Sequence, residues 1–230
     1  MFSNPPSSRF YTRNRYDLMP SVSKNYSDRA AVIIESRDEP LIRWTISNII
    51  HFTQWPVIVY YSKNNEQYLE GLPLKTKIEI AHDFNVAAYN RLLTSIDFWK
   101  SLPPHVLIFQ TDSFMIRTGI EPFMKYDFVG APWSGLNMIK YSIPVNIGNG
   151  GFSFRNRNKM IQILEEVPYK NELAEDIFFA NGFYQLGGKL PPMNIHKKFS
   201  VEQIYYNKPL AVHAPWLALG EDEINNILNK

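Results

Sequence analysis

The chain has 230 residues, of which 45% are apolar, 14% aromatic and 20% charged, a globular composition sufficient for one large domain or two small ones. A formal net charge of +2, with no Lys/Arg block or regular basic stripe, argues against a nucleic-acid partner. The sequence contains no cysteine, which excludes disulfides, thiolate metal sites and thiol chemistry. No apolar run approaches the roughly 18 residues of a membrane span, and "MFSNPPSSRFYTRNRY" has no signal-peptide core. The expectation is a soluble, cytoplasmic protein.

Residues 1–29 are rich in Ser, Asn, Pro, Tyr and Arg without periodicity, and read as an arm that wraps the domain or is partly mobile. The globular domain is expected over residues 30–230. "AAVIIESR" (Ala30–Arg37) is a β-branched apolar run ending on charges, a buried strand. In "EPLIRWTISNIIHF", Leu41, Trp44, Ile49 and Phe52 are broadly helix-spaced and Pro40 suits the first turn. "WPVIVYYS" (Trp55–Ser62) is a second apolar strand. "FNVAAYNRLLTSIDFW" predicts a helix with Val86, Tyr89, Leu93 and Ile96 on one face, stopped by Pro103 and Pro104. "HVLIFQ" from His105 is a third buried strand. Strand, helix, strand, helix, strand is the signature of a parallel sheet covered on both faces.

The second half is more irregular. "YDFVGAPW" (Tyr126–Trp133) is a short strand entering a turn, and "IGNGGFSFRN" (Ile147–Asn156) places three glycines before an alternating strand. "RNKMIQILEEV" and "LAEDIFFANGFYQL" read as helices, the second ended by Gly187 and Gly188. "PLAVHAPW" (Pro209–Trp216) is a late strand and "EDEINNILNK" a short amphipathic helix. The expected fold is a single α/β domain with a Rossmann-like, mostly parallel central sheet and mixed strands in the second half. Ligands of such sheets sit beyond the C-terminal strand ends. Those ends are Glu35-Ser36-Arg37, Ser62-Lys63 and Gln110-Thr111-Asp112, all polar or charged.

Several groups there suit chemistry, each with a plainer structural alternative. Asp112, in "FQTDS", is a strand-end carboxylate that suits a hard cation, or simply caps a turn. His213 stands alone in "LAVHAPW", as a core histidine or as a ligand that suits Mn better than Mg. His196, in "MNIHKKF", reads as a surface residue. Glu175 and Asp176 open a helix, where acids stabilise the N-terminus; beside "IFFA", one of them could instead be shielded enough to act as a general base. "GNGG" (Gly148–Gly151) is a tight hairpin or a backbone wall for a flat ligand, and its spacing fits neither dinucleotide nor P-loop binding. Trp133, in "GAPW", is a core ring or a platform for a sugar face.

The ordered set "FQTDS", "YDFVGAPW", "GNGGFSFRN", "AEDIFF" and "VHAPW", with "AAVIIESR" and "YNRLLTSIDFWKSL", resembles a glycosyltransferase-like family catalogued mainly as a domain of unknown function. The resemblance covers about residues 30 to 216, and extends more distantly to the GT-A fold of nucleotide-sugar glycosyltransferases. It implies a divalent metal, Mn or Mg, at the position of the DxD motif, here Gln110-Thr111-Asp112. Gln110 replaces the first acid, which leaves Asp112 as the ligand there, with His213 as a further one. It implies Asp176 as the base, with Glu175 second. Glu35, Ser36, Arg37, Ser62 and Lys63 would build the nucleotide pocket. Asn149, Gly150, Gly151 and Trp133 would border the acceptor.

The reaction so implied moves a sugar from a nucleotide-sugar donor, a UDP-sugar or similar, to a hydroxyl of a glycan or other acceptor, with inversion. Two rivals remain. A sugar nucleotidyltransferase needs a Gly-rich loop after its first strand, and "ESRDEPLIRW" has no glycine. A non-catalytic nucleotide- or sugar-binding module of the same fold would be compatible with Gln110.

Overall fold

The computed structural model describes residues 24–169 and 173–228. At its centre is β1 (Arg29–Glu35), whose alternate side chains feed two cores: Ala30, Val32 and Ile34 one, Ala31 and Ile33 the other. A strand buried on both faces must be apolar throughout, which is why "AAVII" carries no alternation. β2 (Val57–Tyr61), β3 (Thr76–Glu79) and β4 (His105–Phe109) run parallel to it; β7 (Phe152–Asn156) lies antiparallel beside β4, and β6 (Phe128–Gly130), antiparallel to β7, closes the edge in the same direction as β1. The order is β3-β2-β1-β4-β7-β6. The chain therefore switches direction across the sheet between β1 and β4, where such folds open a crevice.

One face carries α3 (Ile96–Lys100), α5 (Arg157–Glu166) and α6 (Glu175–Leu186), through Trp99, Met160, Ile163 and Phe179. The other carries α1 (Leu41–Thr53) and α7 (Met193–Phe199). A second sheet, β5-β9-β8, is built from β5 (Ser113–Met115), β8 (Ser200–Val201) and β9 (Ala211–His213). α8 (Glu221–Leu228) packs on it through Ile227. The single α/β domain with a mostly parallel sheet and mixed later strands is the fold expected from sequence. No helix among the described residues is long and apolar enough to cross a membrane.

Local expectations differ in five places. The buried face of α1 is Ile42, Thr45, Ile46, Ile49 and Ile50, not Leu41, Trp44 and Phe52. It is rotated because Thr45 and Asn48 turn inward to bind backbone: Thr45 Oγ1 donates to Thr111 O at 3.1 Å, and Asn48 bonds both N and O of Met115, at 2.8 and 3.0 Å. The helix expected through Trp99 is two, α2 (Val86–Leu93) and α3, because Ser95 accepts from Phe98 N and starts a new helix; Val86 is exposed. β3 escaped notice because it is an exposed edge strand of mixed polarity, "TKIE". His196 is buried, its Nδ1 3.1 Å from Gly130 O. The arm assigned to residues 1–29 lies outside the described residues up to 23, and its last part is structured: Tyr26 packs on the core and β1 already begins at Arg29.

Candidate active site

The turn after β4 is closed by one hydroxyl. Ser113 Oγ donates to Gln110 O at 2.7 Å and accepts from Gln110 N at 3.1 Å. The chain then continues as β5, which pairs antiparallel with β9 so that Ser113 lies opposite His213. Ala214 N donates to Asp112 O at 2.9 Å. This pairing brings together residues a hundred positions apart. Nε2 of His213 lies 3.3 Å from Asp112 Oδ1 and 3.3 Å from Gln110 Oε1, and its Nδ1 lies 3.7 Å from Glu202 Oε2. Burial opposes a charged ring, but Asp112 and Glu202 outweigh it and raise the imidazole to about 10. Burial likewise pushes Asp112 up, and His213 and Arg37 overrule it to leave the carboxyl below its ordinary value.

The opposite wall is organised by Arg155. It projects from β7 into the aromatic layer, with Phe128 4.7 Å from its guanidinium carbon, and is fully buried. Nη1 and Nη2 donate to the two oxygens of Glu175 at 2.5 and 2.8 Å; Nη2 also reaches Gly150 O at 3.2 Å. One side chain thus fixes both the first turn of α6 and the glycine loop. Asn90 of α2 supplies the cap that Ala174 lacks, accepting from Glu175 N at 3.2 Å. Glu175 is thereby held in a buried ion pair with Arg155. Asp176 is left facing the cleft, accepting from Gly150 N at 3.1 Å and Ile177 N at 2.9 Å. Burial, and then the neighbouring Glu175, raise its carboxyl from 3.8 to about 6.

The glycine loop has to be glycine. A Cβ on Gly151 would lie 2.2 Å from His213 Nε2, and one on Gly150 2.3 Å from Glu175 Oε1. Asn149 Oδ1 accepts from Gly151 N at 2.6 Å and holds the loop flat. The loop closes an excursion that leaves the sheet after Gly130. Gly130 N donates to Ile147 O at 3.1 Å and Asn149 N to Ala131 O at 2.8 Å, pinning both ends. Between them lies α4 (Gly135–Lys140), which buries no residue.

At the end of β1, Glu35 accepts from Arg37 on both oxygens, Nε at 2.9 Å and Nη2 at 2.6 Å, and from Thr111 Oγ1 at 3.3 Å. Ser36 Oγ donates to Phe84 O at 2.8 Å, drawing the segment before α2 over the strand ends. Ser62 donates to Ser36 O at 2.6 Å and Asn65 to Glu35 O at 2.7 Å.

These walls enclose a cleft of about 500 Å³. Of the residues singled out from sequence, Glu35, Ser36, Arg37, Gln110, Asp112, Asn149, Gly150, Gly151, Glu175, Asp176 and His213 line it. Four do not. Trp133 is buried in the core, its backbone tied to Asn146, because its ring finds apolar partners beneath the wall. Ser62 is buried behind Ser36, Lys63 points to solvent beyond the strand end, and Thr111 lies behind Glu35. Arg155, Asn90, Tyr89 and Glu202 were missed. The alternation of "FSFRN" does carry a signal for Arg155, since it puts a cation on a strand face that must be buried.

The floor can be tested for a divalent cation. Asp112 Oδ1 is sealed from solvent and makes no hydrogen bond of good geometry. It faces an imidazole nitrogen that an amide oxygen also approaches. Carboxylate, imidazole and amide donors suit Mn or Mg, which keep waters and substrate phosphates in their shells. Among the described residues no three His, Cys, Asp or Glu side chains form a group that could hold a metal. The floor therefore fits a cation completed by an anionic ligand, not a self-sufficient metal cage.

The chain belongs to a family described as proteins of unknown function (DUF5672), whose model matches residues 75–213. No curated protein matches it in sequence. Two solved structures to which it is similar are those of the glycosyltransferase GlyE of Streptococcus pneumoniae TIGR4. The apo form has a TM-score of 0.48 at 13% identity over 88% of this chain and 62% of that one. The second GlyE structure has a TM-score of 0.46 at 12% identity over 86% and 56%. The chain thus spans less than two thirds of either.

Proposed function

We propose that the protein is a metal-dependent, inverting glycosyltransferase that takes its sugar from a nucleoside-diphosphate donor, a UDP-sugar or similar, and delivers it to an acceptor hydroxyl. The observation that carries this reading is that Asp112, His213 and Asp176 line one cleft at the C-terminal ends of β1 and β4. Charge accounting supports it. Glu35 is matched by Arg37 and Glu175 by Arg155, Asp112 shares His213, and among the described residues Asp176 makes no ion pair. A diphosphate enters such a cleft only with a countercation.

Asp112 and His213, with Gln110 beside them, would hold the cation, which when bound neutralises the charge that develops on the leaving diphosphate. Arg37, half-exposed at the rim, lies on the nucleotide side. Gln110, oriented by Tyr89 through a 3.3 Å hydrogen bond, offers its amide to the donor. Asp176 takes the proton of the acceptor hydroxyl as its oxygen bonds to the anomeric carbon and the bond from that carbon to the diphosphate breaks. Its two backbone hydrogen bonds fix the carboxylate's direction, and its raised pKa makes it a better base near neutrality than an exposed Asp. Asn149, Gly150 and Gly151 form the wall against which the acceptor lies.

The test is turnover of a panel of UDP- and GDP-sugars with Mn, Mg or EDTA, including hydrolysis where no acceptor is supplied. Release of nucleoside diphosphate that needs the cation and disappears in Asp176→Asn supports the reading. A second reading, a binding module without turnover, is favoured by Gln110 at the first acidic position. Tight nucleotide-sugar binding with no release under any cation would establish it instead.

A further inference from the structure

Glu202 stands behind His213 and takes no part in the proposed reaction, yet it is buried. Its residue is 7% exposed, and Oε2 is sealed from solvent without a hydrogen bond. A buried carboxylate is tolerated only with a partner close by. Nδ1 of His213 is equally sealed and equally without a hydrogen bond, and the two atoms face each other at 3.7 Å. Their meeting is set by backbone register. β8 runs parallel to β9 with Ser200 beside Ala211 and Val201 beside Val212, so the next residue of each strand is Glu202 and His213.

We propose that Glu202 is a positioning residue for the cation site: it accepts from the Nδ1–H of His213 and so aims Nε2, whose own proton a bound cation would displace, at the floor shared by Asp112 and Gln110. An imidazole whose far nitrogen donates to a carboxylate has its ring plane and tautomer fixed and is the stronger ligand for it. The small sheet has, on this view, one purpose at its upper edge: the residue before β5 is Asp112, the last of β9 is His213 and the residue after β8 is Glu202, which aims it. This inference rests on the proposed metal-dependent donor site and goes one shell beyond it.

The experiment is Mn binding to the full chain in the presence of UDP, followed by calorimetry and by pulsed electron paramagnetic resonance of the bound ion. In the wild type a directly coordinated nitrogen is expected in the echo modulation. Glu202→Leu should bind Mn about 10- to 100-fold more weakly and lose that nitrogen signal. Glu202→Gln, whose amide oxygen still accepts from Nδ1, should keep the signal with a smaller loss. Thermal unfolding of each variant checks that the fold persists, and Glu202→Gln serves if Glu202→Leu does not fold. Equal affinity and an unchanged nitrogen signal in the folded variants would overturn the role of Glu202 and leave the proposed function standing. A wild type that binds no Mn with UDP would overturn both.

Discussion

Arg155 and Glu175 meet end to end inside the aromatic layer, with two hydrogen bonds and no water-exposed edge on the arginine. Removing one partner strands a buried charge. Arg155→Met is expected to destabilise the fold by about 3–5 kcal/mol, whereas Arg155→Met with Glu175→Met should recover much of that loss. Urea unfolding of the two variants checks this. The double variant should still lose turnover, since Gly150 and the first turn of α6 no longer share an anchor.

In the proposed reaction Asp176 ties activity to pH. Its carboxyl is raised to about 6 in the fold, so kcat/KM should climb with pH through that value and level off above it. Stability should move the other way. The folded carboxyl holds its proton to higher pH than the unfolded one, so the folded state gains between 3.8 and about 6 on the acid side and loses that gain as pH rises. Once ionised it costs the fold about 1–3 kcal/mol, solvent screening included. Asp176→Asn should therefore raise the unfolding midpoint at pH 7.5, leave it unchanged near pH 4, and abolish transfer while keeping donor affinity.

Gly151→Ala should separate metal binding from folding. The added methyl would sit 2.2 Å from His213 Nε2 and 2.8 Å from Gln110 Oε1, so the imidazole has to swing away. The expected result is a chain that still folds, with a lowered unfolding midpoint because a buried ion-paired ring is displaced, and a Mn affinity lowered about tenfold or more, read by calorimetry with UDP.

Trp133→Ala tests where that ring belongs. A core ring lost from a packed layer costs about 3–5 kcal/mol, and the acceptor KM of the molecules that remain folded should not change. A platform for the sugar would give the opposite pattern, a raised KM with little change in denaturant midpoint.

How far sequence reaches is clear from particular residues. The strand ends were legible because buried parallel strands are apolar until they reach the crevice, so Glu35 and Gln110 announce themselves by contrast. Asp112, His213 and Asp176 were legible as a set because their neighbours resemble a family. Glu175 and Asp176 could not be told apart, since which carboxylate turns inward depends on Arg155, twenty positions earlier on another element. Glu202 was invisible because only the β8–β9 register brings it to His213. Trp133 misled because a turn with Gly and Pro looks exposed, while here its polar backbone is satisfied by Asn146 and the ring drops inward.

The excursion between Ala131 and Asn149 is fastened at its base and buries nothing along α4, where Leu136 is 81% and Ile139 80% exposed. Mechanically its outer face is exchangeable, while Ile143 anchors it to the core. Exchanging only its exposed positions, Leu136 and Ile139, leaves the two pinning hydrogen bonds, the buried Ile143, the bonds of Ser134 and Asn137 to Gln203, and Asp176 in place. On the proposed reading, acceptor choice at this outer face can be re-engineered separately from transfer at Asp176.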